Sequence, residues 1–173
     1  MNKIFVLIVR IFTKKNSCLR KMPPGLVVKN YFNNHFFKVN GDAPFQVHFT
    51  SVVTGSKNII LPNNADSVLI SMASSGGCYF TVFPDTKLEI GEGSIWAFNV
   101  CIQTGNHDFY DHTKYNVSSV KIGKNCWISH AVTITAGVQL GDNVVIGANS
   151  VVTKSFPSNV VIAGCPAKII KHL

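Results

Sequence analysis

Residues 122–153 read IGKNCWISHAVTITAGVQLGDNVVIGANSVVT, and the period of that stretch is six. Counting in sixes from Ile122 gives Ile122, Ile128, Ile134, Leu140, Ile146 and Val152, all aliphatic. About a quarter of the chain is Ile, Leu or Val, so six in a row arise by chance on the order of once in several thousand per starting register. The residue after each anchor is small or carries a hydroxyl: Gly123, Ser129, Thr135, Gly141, Gly147 and Thr153. The residue four after most anchors is compact too, as in Cys126, Val132, Val138, Val144 and Ser150. Upstream, Ile90, Trp96 and Ile102 keep the step, with Gly91 and Ala97 in the small positions.

A strand repeats every two residues and an α-helix every 3.6. Period six is neither, and describes a short strand, a tight turn and another short strand. Three such units close a triangular coil of about 18 residues. The anchors then point inward and stack, and small neighbours let the backbone turn at the corners. Each strand hydrogen-bonds in parallel to the coils above and below. A single coil cannot bury its interior alone, so stability comes from the stack. The predicted fold is all-β, a parallel β-helix running roughly from Val47 to Ala163. Val47 and Val53 keep the step, while Pro44, Pro62 and Pro84 make the early coils irregular. Residues 1–45 are expected to form a helical or mixed cap over the solenoid end. The β-helix domain is expected over residues 46–173, with a tail at 164–173 that includes a short C-terminal helix.

The step fails once. After Ile102 the next anchor falls on Asp108, in a polar and aromatic stretch, and Ile122 restores the pattern. Residues 106–119, NHDFYDHTKYNVSS, are therefore read as a loop extruded from one coil. Loops on a rigid scaffold carry function more often than the scaffold does.

The bulk properties fit one domain. The chain has 173 residues, 46% of them hydrophobic and 14% charged, which excludes disorder. The formal net charge is +8. Part of the basic excess sits near each end of the chain, with no recognition helix, RNA-binding aromatic motif or zinc-finger spacing, which argues against nucleic acid. An anionic small ligand or an anionic membrane surface fits the charge instead. Five cysteines without CxxC spacing point to reduced thiols in a cytoplasmic protein, Cys126 and Cys101 lying at core or near-core phases. The stretch from Ile4 to Phe12 is apolar apart from Arg10 and too short to span a bilayer. It reads as a helix packed on the protein body, with rest on the inner membrane face as the alternative.

Residues 88–171 resemble the hexapeptide-repeat acyltransferases, among them the maltose, galactoside and xenobiotic acetyltransferases and those that decorate capsules and lipopolysaccharides. The likeness rests on Ile122–Lys171 and on Thr104-Gly105-Asn106-His107 followed by an extruded loop. It implies a left-handed β-helix, a homotrimer and transfer of an acetyl group from acetyl-CoA to a hydroxyl, with His107 as general base. Imidazole chemistry suits that task, because an acceptor hydroxyl is a poor nucleophile until its proton is removed. The resemblance also places coenzyme A along the side of the β-helix between two subunits. Trp127 would lie near its pantetheine arm, Ala136, Ala148, Thr153 and Lys154 towards the nucleotide, and Lys168 near a phosphate. The favoured acceptor is a sugar hydroxyl in a surface polysaccharide or its precursor. One departure from the sugar acetyltransferases is Ser74-Ser75-Gly76-Gly77, where an acceptor-orienting Asn would stand. No metal is expected. Two rival readings are a γ-class carbonic anhydrase-like zinc enzyme using His107, His112 and His48 or His130, and a β-helix scaffold without chemistry.

Overall fold

A computed structural model describes residues 17–41 and 43–173. The apolar stretch Ile4–Phe12, read as a helix packed on the protein body or alternatively as a membrane contact, lies outside the described residues. Short strands recur in the order first face, second face, third face and stack into three parallel sheets. The first face holds Val52–Thr54, Tyr79–Thr81, Cys101–Gln103, Thr133–Ile134 and Val151–Val152. The second holds Ile59–Ile60, Leu88–Ile90, Val120–Ile122 and Gln139–Leu140. The third holds Ile95–Trp96, Trp127–Ile128, Val144–Ile146 and Val160–Gly164. Lys121 pairs with Gln139, Trp127 with Val145 and Thr133 with Val151, each 18 residues on. Three six-residue steps therefore make one coil. Leu88 pairs with Val120, 32 residues on, and the excess over one coil (32 − 18) is the 14 residues of the extruded loop.

All nine anchors are buried, none more than 5% exposed. Register stacks them in columns: Ile90, Ile122 and Leu140 on the second face, and Trp96, Ile128, Ile146 and Ile162 on the third. Burial of each such side chain stabilises the fold by about 1.5–3 kcal/mol. The corners follow a second rule. Asn99, Asn125, Asn143, Asn149 and Asn159 all have positive φ and stand three residues before an inward anchor. Asn tolerates that left-handed conformation better than other side-chain-bearing residues. Ala131 occupies the same position with φ 54° and has no such excuse. Ala131→Asn is expected to raise stability by about 1 kcal/mol, read as a higher midpoint of thermal unfolding.

The two ends are closed differently. Helix α1 (Pro24–His35) and helix α2 (Asp66–Ser74) cover the N-terminal end. Helix α2 stands where the first coil would place its third-face strand, so its Ser71 Oγ meets the Trp96 N–H at 3.4 Å. Asparagines complete the cover. Asn40 Oδ1 accepts from Val53 N at 2.8 Å, its amide donates to Asn34 Oδ1, and the Asn34 amide donates to Val47 O. Open strand edges expose backbone donors and acceptors that need partners, and these side chains supply them. Val68 and Met72 of helix α2 join the main core.

At the other end the expected C-terminal helix is not formed. Ala167–His172 is a strand, antiparallel to Val160–Gly164. The last coil leaves a strand edge unpaired, and folding back through Gly164 (φ 104°) pairs it. The β-branched pair Ile169-Ile170 favours the extended state as well. The five cysteines are unpaired, with Cys18, Cys78 and Cys126 buried, Cys101 half-buried and Cys165 exposed. No helix among the described residues is long and apolar enough to cross a membrane.

Candidate active site

The extruded segment leaves the first face at Gln103 and rejoins the coil at Val120 on the second. It is an antiparallel hairpin, Gly105–His107 against Tyr115–Val117. Its base is fixed to the solenoid. Thr104 is fully buried, accepts from Phe83 N at 2.9 Å and shares a 2.6 Å hydrogen bond with Thr86 Oγ1. A Cβ on Gly105 would come within 2.8 Å of the Phe83 ring, so glycine lets the hairpin lie against it.

The hairpin tip is held by carboxylates. Asp108 accepts from Tyr110 N, Asp111 N and the Asn116 amide. Those bonds, the Tyr110 N–H first, hold its carboxyl below the usual carboxylate range. Asp111 accepts from Thr113 and pairs with Lys114 at 3.0 Å, which lowers its carboxyl in the same way, the Thr113 hydroxyl being the larger cause. Phe109 and Tyr110 at the tip are 88% and 99% exposed.

His107 is exposed, and its Nδ1 lies 2.7 Å from the carbonyl oxygen of His112. A carbonyl oxygen only accepts, so Nδ1 carries the proton and donates. The Nε2 lone pair is left free, which is the tautomer a general base requires. The Tyr115 ring packs 4.6 Å from the imidazole, centroid to centroid, and fixes its orientation.

The other residues singled out in the sequence fall into two groups. Ala136, Thr153 and Lys154 lie at the corner between the first and second faces, the corner that carries the hairpin. Gly137 N bonds back to Ser118 O at the hairpin foot. Lys154 Nζ sits 5.7 Å from the centre of the Phe156 ring and makes no ion pair among the described residues. Trp127 instead points outward from the third face, 52% exposed, in register with Ile95 and Val145. Ala148 is at the corner between the third and first faces, and Lys168 pairs with Ala163 on the third-face hairpin. One copy of the chain thus gathers His107, Ala136, Thr153 and Lys154, and carries Trp127, Ala148 and Lys168 on another side.

The histidines do not converge. His48 bonds Thr50 Oγ1 under the cap, where burial, and then the Lys29 charge, lowers its pKa. His130 is exposed at the corner between the third and first faces. Among the described residues no three His, Cys, Asp or Glu side chains cluster as metal ligands would.

Residues 119–154 match the family model for the bacterial transferase hexapeptide (six repeats). The chain is 38% identical over 97 residues to the galactoside O-acetyltransferase of Escherichia coli K12, a match covering 54% of this chain and 48% of that protein. The chain thus spans about half the length of that relative. Among solved structures, a maltose O-acetyltransferase from Clostridium difficile 630 is 45% identical, with a TM-score of 0.51 over 56% of this chain and 52% of that one. A galactoside acetyltransferase in complex with coenzyme A is 26% identical, with a TM-score of 0.51 over 87% of this chain and 84% of that one.

Proposed function

We propose that this chain is an acetyl-CoA-dependent O-acetyltransferase acting on a sugar hydroxyl, built on a left-handed β-helix. The observation that carries the reading is the 2.7 Å bond from His107 Nδ1 to the His112 carbonyl, on a hairpin inserted into an otherwise regular solenoid. Nε2 takes the acceptor proton as the hydroxyl oxygen attacks the thioester carbon, and His107 returns that proton to the departing thiolate. Acetyl-CoA brings the activated acetyl group. Ala136 and the adjoining Gly137 let an extended ligand lie close to the backbone. Lys154 offers a phosphate a cation not engaged by any described carboxylate.

The assembly in this reading is a homotrimer. The outward third-face column of Ile95, Trp127, Val145 and Val161 is apolar, with Ile95 44% exposed. Threefold symmetry would set that face of one copy against the hairpin corner of the next, joining Trp127, Ala148 and Lys168 to the partner's His107 corner. The acceptor is a surface polysaccharide or its precursor, handled at the cytoplasmic side of a membrane on which Ile4–Phe12 can rest. The open corner, unlike a closed pocket, leaves room for a chain.

The test is thiol release from acetyl-CoA against a panel of sugars, nucleotide sugars and oligosaccharides, using protein whose mass is measured by light scattering. Acceptor-dependent release from a species of three chain masses is expected. A stable monomer removes the trimer, and absence of both release and acetyl-CoA binding overturns the enzyme.

A further inference from the structure

Lys57, Phe83, His107, Ala136 and Lys154 follow one another along the same corner, one coil apart. The proposed donor contacts, Ala136, Thr153 and Lys154, all lie on the C-terminal side of the hairpin. On its N-terminal side is an open cleft of about 700 Å³, lined by Val39, Thr54, Lys57, Asn58, Thr81 and Phe83 among others. Its walls are tied together, since the Asn58 amide donates to Phe83 O. It is also continuous with the catalytic hairpin. The Phe83 ring lies 5.0 Å from Tyr115, and Tyr115 lies 4.6 Å from His107, centroid to centroid. Lys57 is exposed at the cleft and makes no ion pair among the described residues, and Asp85, one coil on in the same corner, does not engage it.

Resting on the acyltransferase reading, we propose that this cleft is the acceptor subsite and that Lys57 selects sugars bearing an anionic group, a carboxylate or a sugar-linked phosphate. Two cations then flank the reaction centre on one ridge, Lys154 towards the donor and Lys57 towards the acceptor. A pyranose ring fits against the aromatic Phe83, which presents an apolar face beside polar Thr54 and Asn58. Lys57 and His107 stand two coils apart along this corner, about 10 Å at the spacing of paired strands, a gap that one sugar ring and the lysine side chain together can span. An ammonium at the rim of an aromatic-walled cleft favours an anion through a charge-assisted hydrogen bond and gives a neutral sugar nothing equivalent.

The experiment measures binding and turnover side by side for wild type, Lys57→Ala and Lys57→Arg. The probes are methyl β-glucuronide, UDP-glucose and methyl β-glucoside. Wild type is expected to prefer an anionic probe over the neutral one by about tenfold, Lys57→Ala to lose that preference, and Lys57→Arg to keep it. Preference for the glucuronide assigns a carboxylate, and preference for UDP-glucose a phosphate. The KM for acetyl-CoA is expected to stay the same in all three proteins. Equal binding of charged and neutral sugars, a preference that survives Lys57→Ala, or a rise in the acetyl-CoA KM alone each overturns the proposal. A Lys57-dependent preference with neither thiol release nor acetyl-CoA binding in any protein overturns the transferase reading and leaves Lys57 as an anion contact.

Discussion

Replacing His107 with Ala is expected to lower acetyl transfer by about 10²–10⁴-fold, the usual cost of losing a general base. The barrier rises by about 3–5 kcal/mol on that scale. The effect belongs to the chemical step. His107 is exposed and contributes nothing to the solenoid interior, so the melting temperature and the acetyl-CoA KM are expected to change little. A second variant separates base from scaffold. In Asp108→Ala the carboxylate that accepts from Tyr110 N, Asp111 N and Asn116 is gone. The hairpin that presents the His112 carbonyl then loosens, while the imidazole itself remains. That variant is expected to lose less activity than His107→Ala, and by a shared fall in kcat across acceptors. Transfer by His107→Ala within threefold of wild type would remove the histidine from the mechanism.

The inward half of this structure is legible in the chain because period six is a property of the sequence alone. Each of the nine anchors read from Ile90 to Val152 is buried. The break at Asp108 marks the hairpin for the same reason, since an inserted segment has no anchor to place. Which residues share one side of the prism is harder to read. Face membership has period eighteen, and insertions reset it: Tyr79 pairs with Cys101 at an offset of 22, and Leu88 with Val120 at 32. Trp127 and Ala136 are half a coil apart, so one chain presents them on different sides, although the family resemblance sets both against one ligand. Lys57 and Phe83 carry no periodic signal, because Pro62 and Pro84 blur the step around them. The C-terminal strand is not legible in the sequence because edge pairing is a tertiary demand with no local period. The asparagine rule is present in the sequence, three residues before the anchors, but its demand for a positive φ belongs to the folded corner and has no hydrophobic period to mark it.

That small residue matters most at one corner, and Gly123→Ala is expected to destabilise the fold by about 3–5 kcal/mol. Gly91, Gly123 and Gly141 stand one above another between the second and third faces, each one residue after an anchor of the Ile90, Ile122, Leu140 column. A Cβ on Gly123 would sit 2.3 Å from the Gly141 carbonyl oxygen, 2.4 Å from its carbon and 2.7 Å from Asp142 N. All three are backbone atoms of the next coil, so no side chain can swing away. The coils have to part, and the bonds that cross this corner part with them: Lys124 N to Asp142 Oδ1 at 2.7 Å and Asn143 N to Lys124 O at 2.8 Å. Overpacking of a fixed core costs about 1–3 kcal/mol, and each stretched hydrogen bond adds about 1 kcal/mol. The equivalent positions at the other corners carry Ala97, Ser129, Thr135 and Thr153 as well as Gly147, and a Cβ on Gly147 would meet the Ala163 side chain first and not the backbone of the next coil, so the strict demand for glycine is set by the close approach of coils at this corner and not by the repeat in general. Gly25→Ala in helix α1 is the control, because its added Cβ meets nothing within 4 Å. There the substitution is expected to be neutral or to stabilise by up to about 1 kcal/mol. Denaturant unfolding of the two variants against wild type decides the matter. If Gly123→Ala unfolds at the same midpoint as Gly25→Ala, the corner has slack, and the glycine column is not what sets the spacing between coils.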